Sequence, residues 1–129
     1  MSVPAIVAAF HDAMLHKSAD ALASLYAEDG LHEFPFGGLR PYKGRQEIRT
    51  GYQASWGSTP AVVREIRNVV VHHSTDPEVV IVEQETVVTV NDHPITVPSL
   101  LVLRIRDGRI IHTRDYMDTS AIAAVRAAG

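Results

Sequence analysis

The hydrophobic and polar positions in the first part of the chain alternate with the period of an α-helix rather than that of a β-strand. The apolar residues that share one helical face are Val3, Ile6, Val7, Phe10 and Met14. Apolar residues every three or four positions form one buried stripe along a helix. Ser2 can cap this helix, and Pro4 falls in its first turn, where proline is tolerated.

A second, shorter helix is predicted to follow the first, with Ser18 as its N-cap. Its apolar face would contain Leu22, Leu25 and Tyr26. We expect this helix to end at Asp29-Gly30, because glycine adopts the left-handed conformation of a helix C-cap at little cost.

The next segments predict a strand, a loop and a third helix. Residues 31–36 (LHEFPF) form a short aromatic segment that Pro35 and Gly37-Gly38 bring to an end, which indicates a strand. Residues 37–44 indicate a loop. Residues 45–56 favour a helix in spite of Gly51, which costs about 1 kcal/mol relative to alanine. The apolar residues of this helix that lie one turn apart are Ile48, Tyr52 and Trp56.

From residue 62 onward the pattern changes to segments rich in β-branched residues, which predict strands. These segments are 62–73, 78–90, 95–105 and 109–117. Residues 91–94 and Asp107-Gly108 are the predicted turns, and Thr119 or Asp118 can cap a final short helix. The order α-α-β-α-β-β-β-β-α predicts an α+β fold in which helices pack on one face of a mostly antiparallel sheet. A long sheet curled around helices leaves a hollow at its open end, which is the expected ligand site.

Composition narrows the class of protein. A length of 129 residues fits a single domain, 1–129, and 46% hydrophobic with 21% charged residues is typical of a folded globular chain. Cysteine is absent, which excludes disulfides, thiolate metal ligands and a cysteine nucleophile. The net charge of −3 gives no basic footprint, so no nucleic-acid partner is expected.

Signals for a membrane, a metal or a cofactor are also missing from the sequence. No apolar run approaches the roughly 20 residues of a membrane span, and the N-terminal segment lacks the positive charge of a signal peptide. We therefore expect a cytoplasmic protein without a membrane partner. No zinc-binding spacing and no glycine-rich phosphate loop occur, so neither a metal nor a cofactor is expected.

The segments LYAEDGLHEFPFGG, GRQEIRTGY and RDGRIIHTRDYMD, in this order of elements, resemble the SnoaL-like proteins of the nuclear transport factor 2-like superfamily, which includes ketosteroid isomerase-like proteins. The resemblance covers nearly the whole chain. It implies the cystatin-like α+β cone, in which a curved sheet wraps around the N-terminal helices. It also implies a pocket for a small hydrophobic molecule and a homodimer. Because one fold hosts many activities, the function has to be argued from the site residues.

The resemblance argues against two activities known in that superfamily. The positions that correspond to the three polar groups of ketosteroid isomerases are Phe10, Phe34 and Leu101. None of these side chains can exchange a proton. Of the aspartate–arginine–aspartate set of limonene-epoxide hydrolases, Asp115 matches one aspartate, whereas Gln84 replaces the arginine and Thr86 the second aspartate.

Alternation along the last predicted strand separates two columns of side chains. The more apolar column contains Ile111, Thr113, Asp115 and Met117, and the other contains Ile110, His112, Arg114 and Tyr116. The first column is expected to face the pocket. A carboxylate among apolar neighbours is typical of a general acid or base, so Asp115 is a candidate catalytic residue. The alternative is a carboxylate that anchors the strand by accepting hydrogen bonds.

A second proton-transfer group is expected on the first strand. If Phe34 faces the pocket, the two-residue period turns His32 and Phe36 the same way. A register shifted by one residue would bring Glu33 inward instead. His32 and Glu33 are therefore alternative partners for Asp115.

The remaining candidates would bind the ligand. An aromatic wall is expected from Phe10, Phe34, Phe36 and Trp56, with Tyr52 at the mouth, Gln84 and Thr113 as orienting polar groups, and Leu101 and Met117 as apolar contacts. This set predicts a cofactor-independent isomerase, cyclase or hydrolase-like enzyme that works by proton transfer. The alternative is a non-catalytic ligand-binding or dimerisation module of the same fold. A homodimer is expected to use the outer face of the sheet, with Val79, Ile81 and Val87.

Overall fold

The computed structural model describes residues 1–129 and has the α+β order predicted from the sequence, with one additional two-residue strand. The helices are α1 (Val3–Leu15), α2 (Ala19–Ala23), α3 (Arg45–Gly57) and α4 (Thr119–Ala128). The strands are β1 (Tyr26–Glu33), β2 (Tyr42–Lys43), β3 (Val62–His73), β4 (Val79–Val90), β5 (His93–Arg106) and β6 (Arg109–Met117).

The six strands form one sheet in the order β2-β1-β6-β5-β4-β3. Neighbouring strands are antiparallel except β1 and β6, which run parallel and place His32 beside Thr113. The curved, mostly antiparallel sheet predicted from the sequence is thus confirmed. The helices α1, α2 and α3 pack on its inner face, and the largest completely buried apolar residues of this core are Ile6, Leu22, Tyr26, Ile48, Leu103 and Ile110.

The second helix is shorter than the sequence predicts, because β1 already begins at Tyr26. Tyr26 was expected on the helical stripe and is instead a buried strand residue. Gly30 lies inside β1 rather than at a helix end. A Cβ atom on Gly30 would lie 3.0 Å from the ring of Tyr26 and 3.2 Å from the carbonyl oxygen of Ile110. Glycine at this position permits close packing between β1 and β6.

The first strand also ends earlier than predicted, at Glu33 rather than at residue 36. Pro35 has no N–H group for the sheet, so the pairing stops before it. Within the segment predicted as a loop, Tyr42–Lys43 forms the short strand β2, in which Tyr42 pairs with His32. This pairing brings a second tyrosine next to the first strand.

Gly51 in the middle of α3 has a packing function. A Cβ atom at this position would collide with the ring of Tyr42, which lies directly across the helix backbone. The residue that weakens the helix in the sequence therefore allows α3 to approach β2 closely.

An irregularity in β6 changes part of the predicted alternation. His112 lies opposite Arg104, whereas Ile110 lies opposite Ile105, so one residue of β6 is skipped between them. As a result Ile110, which was expected to face outward, is completely buried. Beyond the irregularity, Thr113 and Asp115 are both buried on the inner face.

The helix α4 covers one end of the inner face of the sheet. Its N-cap is Asp118, whose carboxylate accepts hydrogen bonds from the hydroxyl of Ser120 and from two backbone N–H groups. These bonds lower the pKa of Asp118. The apolar contacts of α4 are Ala121, Ile122 and Val125 against Ala61, Val88, Val90 and Val97. No residue of α4 is fully buried.

Candidate active site

A cavity of about 560 Å³ lies between the inner face of the sheet and the helices α1, α3 and α4. Of its 27 lining residues, 16 are hydrophobic. Such a volume with a mainly apolar lining is typical of a small-molecule site. The sequence-predicted site residues that line it are Phe10, Phe34, Tyr52, Trp56, Gln84, Leu101, Asp115 and Met117.

Asp115 is the one carboxylate side chain that lines this cavity. The residue is 9% exposed, and its Oδ2 lies 3.3 Å from Nε2 of His32, which is completely buried. His32 is the only protein hydrogen-bond partner of this carboxylate. Asp115 is therefore not held by backbone N–H groups, and part of its carboxylate is free to contact a ligand.

Two tyrosine hydroxyls complete the hydrogen bonding of His32. The hydroxyl of Tyr52 lies 2.9 Å from Nε2, the nitrogen that also contacts Asp115. The hydroxyl of Tyr26 lies 2.7 Å from Nδ1 on the other side of the ring and 2.8 Å from Oγ1 of Thr113. A continuous chain of hydrogen bonds therefore runs from the buried Thr113 to the carboxylate at the cavity.

The negative charge of the Asp115 carboxylate sets which group donates and which accepts in each of these hydrogen bonds. An unprotonated Nε2 would direct its lone pair at the carboxylate, so Nε2 carries a proton, and this N–H donates a hydrogen bond to Asp115. Nδ1 then accepts a hydrogen bond from the hydroxyl of Tyr26, whose oxygen accepts one from the hydroxyl of Thr113. Tyr52 cannot donate to a protonated Nε2, so its own hydroxyl proton is available to a ligand.

The two tyrosines that contact His32, Tyr26 and Tyr52, are both held in the neutral form. Burial raises the pKa of Tyr26 far above its ordinary value. Burial also raises the pKa of Tyr52, and the negative charge of Asp115 raises it further. Tyr52 is therefore a hydrogen-bond donor at neutral pH and not a base.

Aromatic rings surround His32 and form the wall of the cavity at this end. The ring centroid of Phe34 lies 4.8 Å from that of His32, and the ring of Tyr42 lies edge-on to Phe34 at 5.4 Å. Tyr52 and Trp56 continue the wall, with their centroids 4.7 Å apart. This wall separates the imidazole from the cavity, whereas Asp115 and Tyr52 both line it.

A second polar region lies at Gln84 on β4. The residue is 4% exposed and lines the cavity, and its Oε1 lies 2.6 Å from Nε2 of His11 on α1. Burial lowers the pKa of His11, although the hydrogen bond to Gln84 acts in the opposite direction. His11 is thus neutral near pH 7, and its Nε2–H donates to the amide oxygen.

The sequence of the chain can now be placed in a family. Residues 7–113 match the family described as the SnoaL-like domain. The chain belongs to the SnoaL-like domain family. The match includes most of α1, all of α2 and α3, the strands β1 to β5 and half of β6. These elements carry His32, Tyr52 and Gln84.

Solved structures share the fold of this SnoaL-like domain. A Bacillus subtilis protein provisionally named an isomerase is 22% identical with a TM-score of 0.86, over 98% of this chain and 93% of that protein. A Catenulispora acidiphila protein with a ketosteroid isomerase-like fold, in complex with trimethylamine, is 24% identical with a TM-score of 0.75, over 98% and 95%. An LEH-like epoxide hydrolase from M. tuberculosis is 20% identical with a TM-score of 0.68, over 96% and 91%. Identities this low establish the fold alone. No curated protein matches the chain.

Of the two alternative partners for Asp115, His32 is the one that the fold of the SnoaL-like domain brings to the site. Glu33 lies on the opposite face of β1, where its carboxylate contacts Nε2 of His112. Its side chain is 38% exposed. The unshifted register therefore applies, and Glu33 does not reach the cavity.

Two other predicted ligand contacts also lie outside the cavity. Phe36 follows the end of β1, is 59% exposed and packs edge-on against Tyr116 with centroids 5.3 Å apart. The strand ends before it, so the two-residue alternation that turned it inward does not apply. Thr113 is completely buried behind the cavity and contacts Tyr26 instead of free volume.

Sequence reasoning missed Tyr26 and Tyr42. The register between Tyr26 and Leu31 is irregular, so strand alternation could not have placed the Tyr26 hydroxyl beside His32. Tyr42 stands in a two-residue strand, which is too short to show a period. The sequence carries no local signal for either contact.

Two further features bear on cofactors and membranes. No three side chains of the metal-binding types converge in the structure. No helix has both the length and the apolar character needed to cross a bilayer. Independence from metal stays a prediction, which elemental analysis of the purified protein tests.

Proposed function

We propose that this SnoaL-like domain is a cofactor-independent enzyme that moves a proton on a small, mainly apolar carbonyl compound, as in an isomerisation or a cyclisation. The observation that carries the proposal is the carboxylate of Asp115, which borders the cavity with His32 as its single partner. A carboxylate held in this way is free to accept a proton from a ligand. Tyr52 offers a hydroxyl proton beside it.

In the proposed step, Asp115 removes a proton from the carbon next to the substrate carbonyl. The electron pair of the broken C–H bond forms the double bond of an enolate, and the negative charge moves to the oxygen. The hydroxyl of Tyr52 donates a hydrogen bond to that oxygen. In an isomerisation the enolate is conjugated with a carbon–carbon double bond, and the protonated Asp115 returns the proton to the far carbon of that double bond. In a cyclisation the enolate carbon bonds to a second carbonyl carbon of the same molecule, the π bond of that carbonyl breaks, and Asp115 gives its proton to the oxygen. His32 holds the carboxylate in position through Nε2–H.

The apolar walls support this chemistry. Phe10, Phe34 and Leu101 line the cavity and offer hydrocarbon surface to a substrate. A site of low polarity strengthens the hydrogen bond from Tyr52 to the enolate oxygen, because few water molecules compete for it. The isomerase name of the Bacillus subtilis protein agrees with this class of reaction.

Deuterium exchange of β-tetralone, a bicyclic ketone with acidic protons next to its carbonyl, tests the proposal. Proton NMR in heavy water follows the loss of those protons with the native protein and with variants. We expect exchange above the solvent rate, its loss in Asp115→Asn, and a reduction of roughly a hundredfold in Tyr52→Phe. Glu33→Gln is the matched control, because it neutralises a nearby carboxylate on the opposite face of β1 and leaves exchange unchanged.

The outcomes of that experiment are distinct. Exchange at the native rate in a folded Asp115→Asn protein would contradict the proposal. Saturable chemical-shift changes of the protein without any exchange of the ketone would instead indicate a binding protein. That second candidate is favoured by one observation, the presence of Phe10 and Phe34 where related isomerases carry polar groups.

We also propose that the domain forms a homodimer through the outer face of the sheet. Val79, Ile81 and Val87 lie on that face and are only half buried within one chain. Antiparallel sheets of this type can bury their second face against another molecule. Association of two copies would remove these side chains from water.

A further inference from the structure

Three polar side chains on the inner face of the sheet border the cavity without using their full hydrogen-bonding capacity. Gln84 and Thr86 are 4% and 6% exposed, and Ser99 is half buried. Neither hydroxyl has a protein partner, and Gln84 uses only its amide oxygen, on His11. No completely buried side-chain nitrogen or oxygen of the chain lacks a partner. The free groups of these three residues therefore face the open volume of the cavity.

The three side chains form one patch. Ser99 on β5 lies directly opposite Gln84 on β4, and Thr86 is two residues farther along β4 on the same face. We call Gln84, Thr86 and Ser99 the oxygen patch. Their positions in adjacent strands allow all three to contact the same ligand group.

The oxygen patch lies at a distance from the proton-transfer groups. Asp115 pairs with Leu101, and Leu101 pairs with Val82, which precedes Gln84 by two residues on β4. Two strand spacings across the sheet and two residues along it separate Asp115 from Gln84, or roughly 12 Å between their Cα atoms. A ligand that contacts both must therefore carry two polar functions on opposite ends of an apolar framework.

His11 determines which half of the Gln84 amide faces the ligand. Because Oε1 accepts the Nε2–H of His11, the NH₂ group is the half that remains for the cavity. His11 is neutral near pH 7, and the patch itself contains no charged side chain. A carboxylate or a phosphate bound at the patch would lose its hydration without an opposite charge from the patch to compensate, whereas a neutral oxygen avoids this cost.

We propose that the oxygen patch binds a second, neutral oxygen of the substrate, such as an ether, hydroxyl or carbonyl oxygen, through the NH₂ group of Gln84. This inference rests on the proposed function and names its substrate class. The substrate is a compound with an enolisable carbonyl at Asp115 and an acceptor oxygen at the far end of an apolar framework. Thr86 and Ser99 add hydroxyls that can donate to the same oxygen.

A pair of probes of equal shape tests the oxygen patch. In 6-methoxy-β-tetralone an ether oxygen lies at the end of the molecule away from the exchanging carbon, and in 6-ethyl-β-tetralone a methylene group replaces that oxygen. We expect the native protein to bind the methoxy compound about tenfold more tightly, as measured by NMR titration, since a hydrogen bond contributes on this order. Gln84→Glu keeps an oxygen for His11 but replaces the NH₂ group by a second oxygen, so the preference should disappear.

Gln53→Glu is the matched control, because Gln53 is exposed on α3 and does not line the cavity. It introduces the same charge and should keep the preference. Three outcomes would overturn the proposed role of the oxygen patch. The native protein could bind the two probes with equal affinity, it could bind neither, or a folded Gln84→Glu protein could keep the preference for the methoxy compound. A shift of the Gln84 side-chain amide signal with the methoxy probe alone would support it.

The two proposals fail separately in these measurements. Asp115→Asn should lose deuterium exchange and keep the tenfold preference, because it leaves the oxygen patch intact. If exchange depends on Asp115 and the preference is absent, only the oxygen patch is wrong. If the preference is present and exchange is absent, the patch stands and the proton-transfer function does not.

Discussion

His32 lies 3.3 Å from Asp115 although 83 residues separate the two in the chain. The parallel pairing of β1 and β6 produces this contact, since it sets His32 beside Thr113, two residues before Asp115. The imidazole also accepts the hydroxyl of Tyr26, so it connects the carboxylate to the core.

Replacing His32 by leucine should therefore affect both stability and activity. The hydroxyl of Tyr26 would lose one of its two buried partners, and the free energy of unfolding should fall by about 1–3 kcal/mol. Asp115 would lose its positioning partner, so exchange of β-tetralone should slow by at least roughly tenfold. Urea denaturation and the NMR assay measure the two effects. His112→Leu, at a partly exposed position, is the control. It should change the free energy of unfolding and the exchange rate by much less than His32→Leu does.

Gly51→Ala should destabilise the protein although alanine favours helices. The added methyl group would collide with the ring of Tyr42, and such overpacking costs about 1–3 kcal/mol. Gly57→Ala, at the end of the same helix, meets no atom within 4 Å and should be neutral or slightly stabilising. Thermal denaturation compares the melting temperatures of the two variants with that of the native protein. A Gly51→Ala protein that melts at the same temperature as the native protein would contradict the packing of Tyr42 against Gly51.

Glu78 should make the free energy of unfolding fall at acid pH. Hydrogen bonds from Arg106 and Arg104 lower its pKa from 4.5 to about 2. A lowered pKa in the folded state means that the contribution is present at neutral pH and is lost as the pH falls through that window. Urea denaturation of the native protein should show this loss between about pH 4.5 and pH 2, and Glu78→Gln should reduce it. Glu65→Gln, exposed on β3, serves as the control.

Tyr26 and Tyr52 should make the free energy of unfolding fall at alkaline pH. Their pKa values are raised by burial, and that of Tyr52 also by Asp115. The unfolded chain ionises first, near pH 10, so the contribution is complete below that pH and is lost as the pH rises above it. Denaturation between about pH 8 and pH 11 should show a smaller decline in Tyr52→Phe than in the native protein. Parallel curves would show that Tyr52 ionises as readily in the folded state.

The proposed homodimer predicts a mass of roughly twice 14.1 kDa in solution. Sedimentation at micromolar concentration measures it. Ile81→Glu places a charge in the apolar outer face and should yield single chains that keep their secondary structure. A native protein that sediments only as the single chain would rule out this interface at that concentration.

Long periodic segments made the fold predictable from the sequence. The bounds predicted for the strands 62–73 and 109–117 are those of β3 and β6, and the third helix differs by one residue. The exceptions occur where packing outweighs local pattern. Tyr26 looks helical by its spacing from Leu22, but its ring is needed against Gly30 and His32 in the core.

The site was less predictable because its contacts join distant strands. Alternation alone suggested that His32 and Asp115 could face the same cavity. It could not give the hydroxyl partners of the imidazole or the orientation of the Gln84 amide, since both depend on side chains from other elements. Phe36 was misplaced for a related reason, as alternation ends where the strand ends.

The loose attachment of α4 has a consequence for kinetics. This helix lines one end of the cavity, yet none of its residues is fully buried. Local opening of such an element requires less free energy than global unfolding. We therefore expect α4 to detach and reattach many times during the lifetime of the folded state, and its backbone amides to exchange with solvent long before those of β4 and β5. The frequency of that opening would set the residence time of a bound molecule, independently of how well the molecule fits the walls.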